Sequence, residues 1–240
     1  MSTDERRTST SSRRRTAQAT ALVAAPLAFV VANLGSVLTT ASGQDDTTAR
    51  GALEISVAHP LADTLLTCVA MVGCLLLVPA ALGAMSLMRE TAPRLSLVSG
   101  SMMIVGYICY FGLCLQGLST VELAQHGGVS AANIAVQDVL TDTVPYVVVA
   151  LTFVVGNIIG TFLLGLALLR SRSVPRWAAY AVLAWPVLHI LGGPWGEVAG
   201  AVLQAVGLAV VGRRLLAGTT AVRPTDDATP NVRPAVPAGA

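Results

Sequence analysis

Long uncharged blocks separated by short polar stretches set the pattern of this chain. The clearest block runs from Tyr146 to Leu169 without a single charge, and Arg170, Arg172 and Arg176 follow it closely. Crossing a hydrocarbon core of ~30 Å takes about 20 helical residues. Six blocks of this kind predict transmembrane helices over residues 21–40, 61–88, 95–118, 145–169, 177–191 and 198–216, an all-α polytopic bundle over residues 17–216. The fifth block is short for a crossing, so the Gly192 to Glu197 turn after it is expected to dip toward the membrane. Residues 1–16 have no apolar periodicity and read as a disordered basic tail; residues 217–240, rich in Pro, Ala and Thr, read as a second one. A rival reading takes residues 1–41 as a signal peptide, with Arg13 to Arg15 as its basic region and Thr39-Thr40-Ala41 at the cleavage point.

Two polar stretches carry their own helical signals. TTARGALEISVA, in the loop before Pro60, is expected to form a short amphipathic helix. VSAANIAVQDVL has Ser130 as N-cap and places Ala132, Val136 and Val139 on one face. Pro60 stands where a helix best tolerates proline, at its first position. Small residues recur inside the blocks: Gly156, Asn157 and Gly160 form a GxxxG face with Gly165 beyond it, and Gly106 and Gly112 recur in the third block. These six are assigned to helix packing, since glycine lets backbones approach closely in lipid. Asn157 is expected to tie its helix to a neighbour.

Composition agrees with the pattern: 54% of the 240 residues are hydrophobic and only 12% charged, about half the charge of a soluble domain. The net charge of +2 says less than its distribution. With the N-terminus inside, Arg6, Arg7, Arg13 to Arg15, Arg89, Arg94, Arg170, Arg172, Arg176, Arg213, Arg214, Arg223 and Arg233 all fall on the inner side, and Arg50 alone falls outside. Positive-inside bias therefore predicts six spans in the inner (plasma) membrane with both termini cytoplasmic. The four cysteines all lie in predicted spans, and their spacing fits no zinc site. Cys68 and Cys109 are expected at similar depth on adjacent helices, where a disulfide is conceivable.

The chemistry-bearing side chains gather on the predicted outer side. His59 and Asp63, and again Glu122 and His126, sit four residues apart on one helical face; His189 faces Glu197 across the tight turn. Imidazole and carboxylate together bind divalent metal, relay protons or sense pH. Interfacial solvation explains His59, Glu122, His126 and Glu197 without any site. The sharper expectation joins His189 with Asp63 as the two most immersed groups. A haem held between His59 and His189 fits the same placement. No HExxH, GxSxG, P-loop or GxGxxG stands in a usable context, so no catalytic residue and no cofactor are assigned. The basic tail is accounted for by topology, and nucleic acid is not an expected partner.

The loop segment AANIAVQDVL and the phrase LLRSRSVPRWAAYAVLAWPVL resemble the uncharacterised six-span integral membrane proteins of high-GC Gram-positive bacteria. That resemblance implies architecture and no activity. The expectation is a non-enzymatic structural or regulatory membrane component, with the lipid bilayer and a second copy or another membrane protein as partners. Two alternatives remain open: a small-solute or ion transporter or channel, and a metal- or haem-binding redox protein using the outer histidines and acids. Against transport stand the lack of a charge at mid-membrane and of a broken helix pair.

Overall fold

Short polar side chains and prolines start most of the helices in the computed structural model, which describes residues 3–40 and 47–217. Eight helices follow one another: α1 (Thr3–Thr40), α2 (Ala49–Ala58), α3 (Pro60–Met88), α4 (Pro93–Gly127), α5 (Ala131–Thr141), α6 (Val144–Ser171), α7 (Arg176–Leu191) and α8 (Gly193–Ala217). There is no strand among the described residues. Thr48, Ser130 and Thr143 each accept a first-turn N–H, at 3.1, 3.2 and 3.4 Å. Pro60, Pro93 and Pro145 occupy first turns, where a missing N–H costs nothing. The two short helices expected from the loops are therefore α2 and α5.

Residues 12–40 of α1, together with α3, α4, α6 and α8, make five helices long and apolar enough to cross a membrane. Helix α7, the fifth block of the sequence, has 16 residues. Its length of about 24 Å falls short of a ~30 Å core. The first helix begins at Thr3, so residues 3–16 are helical where the sequence suggested a disordered tail. Residues 41–46, with Asp45 and Asp46, and the expected C-terminal tail from residue 218 onward lie outside the described residues.

Close approaches at glycine fix the register. Gly35 faces Leu66, Gly73 faces Phe29 and Gly83 faces Gln18, so α1 and α3 run antiparallel. Gly100 against Met85 and Gly117 against Thr67 do the same for α3 and α4. Gly106 against Gly156, with Gly160 against Met103, pairs α4 with α6, and Gly200 and Gly207 seat α8 on α7. This alternation gathers Arg89, Arg94, Arg170, Arg172, Arg176, Arg213 and Arg214 at one end of the bundle.

The α4–α6 contact is backbone to backbone. A Cβ on Gly156 would stand 2.6 Å from both the Gly106 Cα and the Met102 carbonyl oxygen. Helices in lipid gain little from hydrophobic burial against one another, so this closeness contributes through dispersion. Gly160 and Gly165 are likewise tight, against Met103 and Leu183. Gly112 corrects the expectation: it is exposed, and nothing lies within 4 Å of the Cβ it lacks. Six residues beyond Gly106 is about 240° around a helix, which turns Gly112 off the packed face.

Outward faces are as apolar as inward ones. Leu61, Leu65, Val72 and Leu75 form an exposed stripe on α3; Val147, Val148, Leu151, Val154, Val155 and Phe162 form another on α6. Helices apolar all round need an apolar surrounding on their outer side. In α5 the polarity is turned about: Gln137 is buried, while Val136 and Val139 are exposed.

Candidate functional site

The end of the bundle away from the arginines is hollow. A cavity of about 700 Å³ opens there, walled by α1, α3 and α4, roofed in part by α2 and α5, and reaching Tyr146 of α6. Its depth follows from the short α7. Gly165 of α6 packs between Ala179 and Leu183. Beyond that contact α7 has about ten residues left and α6 about twenty, so the α7–α8 turn stops roughly 15 Å short of the start of α6. Gly193, Pro194 and Glu197, at that turn, line the cavity from below. The turn needs its glycines: Gly193 has φ +59, and a Cβ on Gly192 or Gly196 would collide with the Leu188 carbonyl oxygen.

An aromatic cluster separates the cavity from the arginine end. Tyr110 lines the cavity and stacks on Phe153 with centroids 4.3 Å apart. Below it, Tyr107 packs on Phe29 at 5.0 Å and donates its hydroxyl to Asn157 Oδ1 at 2.6 Å. The Asn157 side chain thus ties α6 to α4. Cys74 and Cys114 lie next to each other at this floor. Cys68, opposite residues near Gly117, lies about two turns from the level of Cys109, and both thiols are free, so the conceivable disulfide is absent.

The cavity wall is polar. Helix α1 contributes Asn33, Ser36, Thr39 and Thr40, α3 contributes Thr67, and α4 contributes Gln116 and Thr120. The buried Gln137 of α5 accepts the Thr120 hydroxyl at 3.2 Å, which holds α5 against the rim. Among the described residues, two carboxylates line the space, Asp63 and Glu197, and no arginine or histidine does. Asp63 accepts the hydroxyl of the buried Ser56 at 2.5 Å.

The six residues singled out from the sequence separate into distinct places. His59 is exposed and links α2 to α3; its carbonyl accepts the Asp63 N–H, while the Asp63 carboxylate turns to Ser56. Glu122 and His126 pair at 3.6 Å as their spacing suggests, on an exposed face beside a second, shallower hollow of about 520 Å³. His189 and Glu197 do meet, with Nδ1 3.5 Å from Oε1. His189 stacks on Trp185, centroids 4.9 Å apart and rings 18° from parallel. Asp63 and Glu197 share the cavity, whereas His189 stands behind Glu197. Among the described residues, no three His, Cys, Asp or Glu side chains converge as a metal would require. The hydroxyl and amide lining was missed from sequence, because Ser and Thr inside apolar helices look like background until neighbours are known.

No protein-family model matches this chain, and neither does any curated protein or solved structure.

Proposed function

We propose that this chain is a plasma-membrane protein with both termini cytoplasmic, whose outward vestibule takes up a small organic ammonium solute. The observation that carries the reading is the cavity itself, on whose wall, among the described residues, stand two carboxylates and no cationic side chain. Its volume lies within the range of small-molecule sites, about 300–1,000 Å³, and far exceeds a bare ion. Hydroxyl and amide groups suit a hydrogen-bonding solute, and the Tyr110 and Tyr146 rings suit its cationic end. Asp63, with one oxygen on Ser56, is the fixed counter-charge.

The arginine-bearing end supports an inside assignment for that side. In this reading α1, α3, α4 and α6 cross fully, and α7 with α8 forms the last pair of the six segments, entering from the cytoplasm and turning before the outer surface. Such a buried helix break is where membrane carriers place their sites. It supplies the charge at depth and the interrupted helix pair that the sequence did not display. The cavity also favours solute binding over a purely structural or regulatory part, and the scattered histidines give the metal and haem readings no geometric support.

Calorimetry on purified protein in lipid nanodiscs, titrated with methylammonium and putrescine against sodium chloride, tests this. Saturable binding of the amines that falls at least tenfold in Asp63→Asn is the expected result. Equal heats for amines and sodium chloride would sink the cation reading. Labelling of Thr120→Cys by an impermeant maleimide from outside intact cells checks the orientation.

A further inference from the structure

We propose that Cys74 and Cys114, at the floor of the vestibule, are a redox-active dithiol that a small cationic disulfide oxidises to a cross-link between α3 and α4. The dithiol stands on its own geometry; the preference for a cationic disulfide rests on the vestibule being a cation site. Cys68 and Cys109 stand apart, whereas Cys74 and Cys114 lie next to each other, with all four thiols free. Cys114 lines the cavity and shares one buried cluster with Ala32 of α1 and Ala70 of α3. Cys74 follows Ala70 by one turn of α3 and is buried, without reaching the cavity wall.

The two helices aim these side chains at each other. A helical Cα–Cβ bond tilts toward the N-terminus of its own helix. Helix α3 starts at the vestibule end, so Cys74 leans toward the cavity; α4 starts at the arginine end, so Cys114 leans the opposite way. Thr67 faces Gly117 and Met85 faces Gly100, a register that sets Cys114 about one turn nearer the vestibule than Cys74. The Cα–Cβ bonds therefore converge, as bridging two cysteines requires. Roles divide by position: a solute in the cavity meets Cys114, and Cys74 meets only what Cys114 has already bound.

The exchange balances with the disulfide as oxidant. Cys114 Sγ gives up its proton and attacks one sulfur of the small disulfide. The S–S bond breaks, and its electron pair leaves on the first aminothiol, which takes up that proton. Cys74 Sγ then attacks Cys114 Sγ in the mixed disulfide, and the second aminothiol departs with the Cys74 proton. The protein has lost two hydrogens and gained a disulfide; the reagent has become two thiols. A cationic reagent suits this floor twice. Asp63 and Glu197 on the wall concentrate its ammonium groups. Held there, those groups stabilise the negative charge that develops as Cys114 attacks. A neutral disulfide has neither advantage, and an anionic one is repelled.

The full chain in nanodiscs, reduced and then freed of reductant, is treated with cystamine, with bis(2-hydroxyethyl) disulfide or with dithiodiglycolate, and its peptides are mapped by mass spectrometry. The expected result is a linked Cys74–Cys114 peptide pair, formed about tenfold faster with cystamine than with the neutral reagent and slowest with the anionic one. Excess methylammonium chloride is expected to slow cystamine alone. Cys74→Ser is expected to stop with one aminothiol disulfide-bonded to Cys114, and Cys114→Ser to leave Cys74 unmodified. Native protein whose Cys74 and Cys114 stay reduced under all three reagents overturns the dithiol and leaves amine binding to the calorimetry. Cross-linking at equal rates by all three overturns the cation preference, and the vestibule reading with it, while the dithiol stands. Modification of Cys74 in Cys114→Ser overturns the order of attack. The native protein alone decides the first two points, so poor folding of either variant does not shield the proposal.

Discussion

The two ends of this bundle are built from the same helices and reach opposite results. Toward the arginines, glycine and alanine faces close the helices on one another until Gly106 and Gly156 touch through backbone alone. Toward the other end the same helices part around a cavity of about 700 Å³. The difference is geometric, since α7 is 16 residues long and turns back early, leaving the first turns of α6 without α7 beside them. Small residues therefore mark contact only where a partner helix is present at that depth. Hydroxyl and amide side chains occupy the level where it is not.

The comparison breaks most visibly at its tightest point. Gly156→Leu drives a side chain into the Gly106 backbone, and overpacking of this kind typically costs about 1–3 kcal/mol, occasionally more. Thermal unfolding in detergent is expected to drop steeply or show no folded protein, while Gly112→Leu unfolds as the native chain does. Equal losses would mean that the register described for α4 and α6 is wrong. Asp63→Asn divides the two halves by property. It keeps an acceptor for Ser56, so unfolding should shift little while methylammonium affinity falls at least tenfold; a large shift in both would make Asp63 a structural residue.

A smaller effect is expected from Tyr107→Phe, which removes the bond to Asn157 at the boundary between the halves. Interhelical hydrogen bonds in membranes are worth about 0.6–2 kcal/mol, and unfolding should report a loss of that size. The smallest belongs to the rim. Thr120→Val frees Gln137 and α5, which hydrogen exchange should register as faster exchange in residues 131–141 with an unchanged unfolding temperature. Global destabilisation there would show that the rim is part of the packed half.

Much of the architecture was legible because apolar length and capping are local properties. Ser130 starts α5 as its position suggested, and the short fifth block is the 16-residue α7. Contacts between elements were less accessible. Spacing placed Asp63 on one face with His59 but could not show that Ser56, from the preceding helix, would take the carboxylate. It placed Gly112 in line with Gly106 by sequence interval and not by angle. The Glu197–His189 pair was visible because a tight turn makes distant groups local. The cavity was not, since a void belongs to several helices at once and to none of them singly.

The early turn between α7 and α8 carries a consequence for the backbone. Each helix end leaves up to four peptide groups without a partner in its own helix. Gly192 N–H finds Leu188 O at 2.8 Å and Gly196 N–H finds Gly192 O at 3.0 Å, but the first amides of α8 still need hydration at a depth where lipid offers none. On the proposed membrane placement, water in the vestibule would meet that need. The hairpin and the hollow above it thus require one another: substitutions that filled the space with apolar bulk would strand the peptide groups of the turn and weaken the fold they appeared to complete.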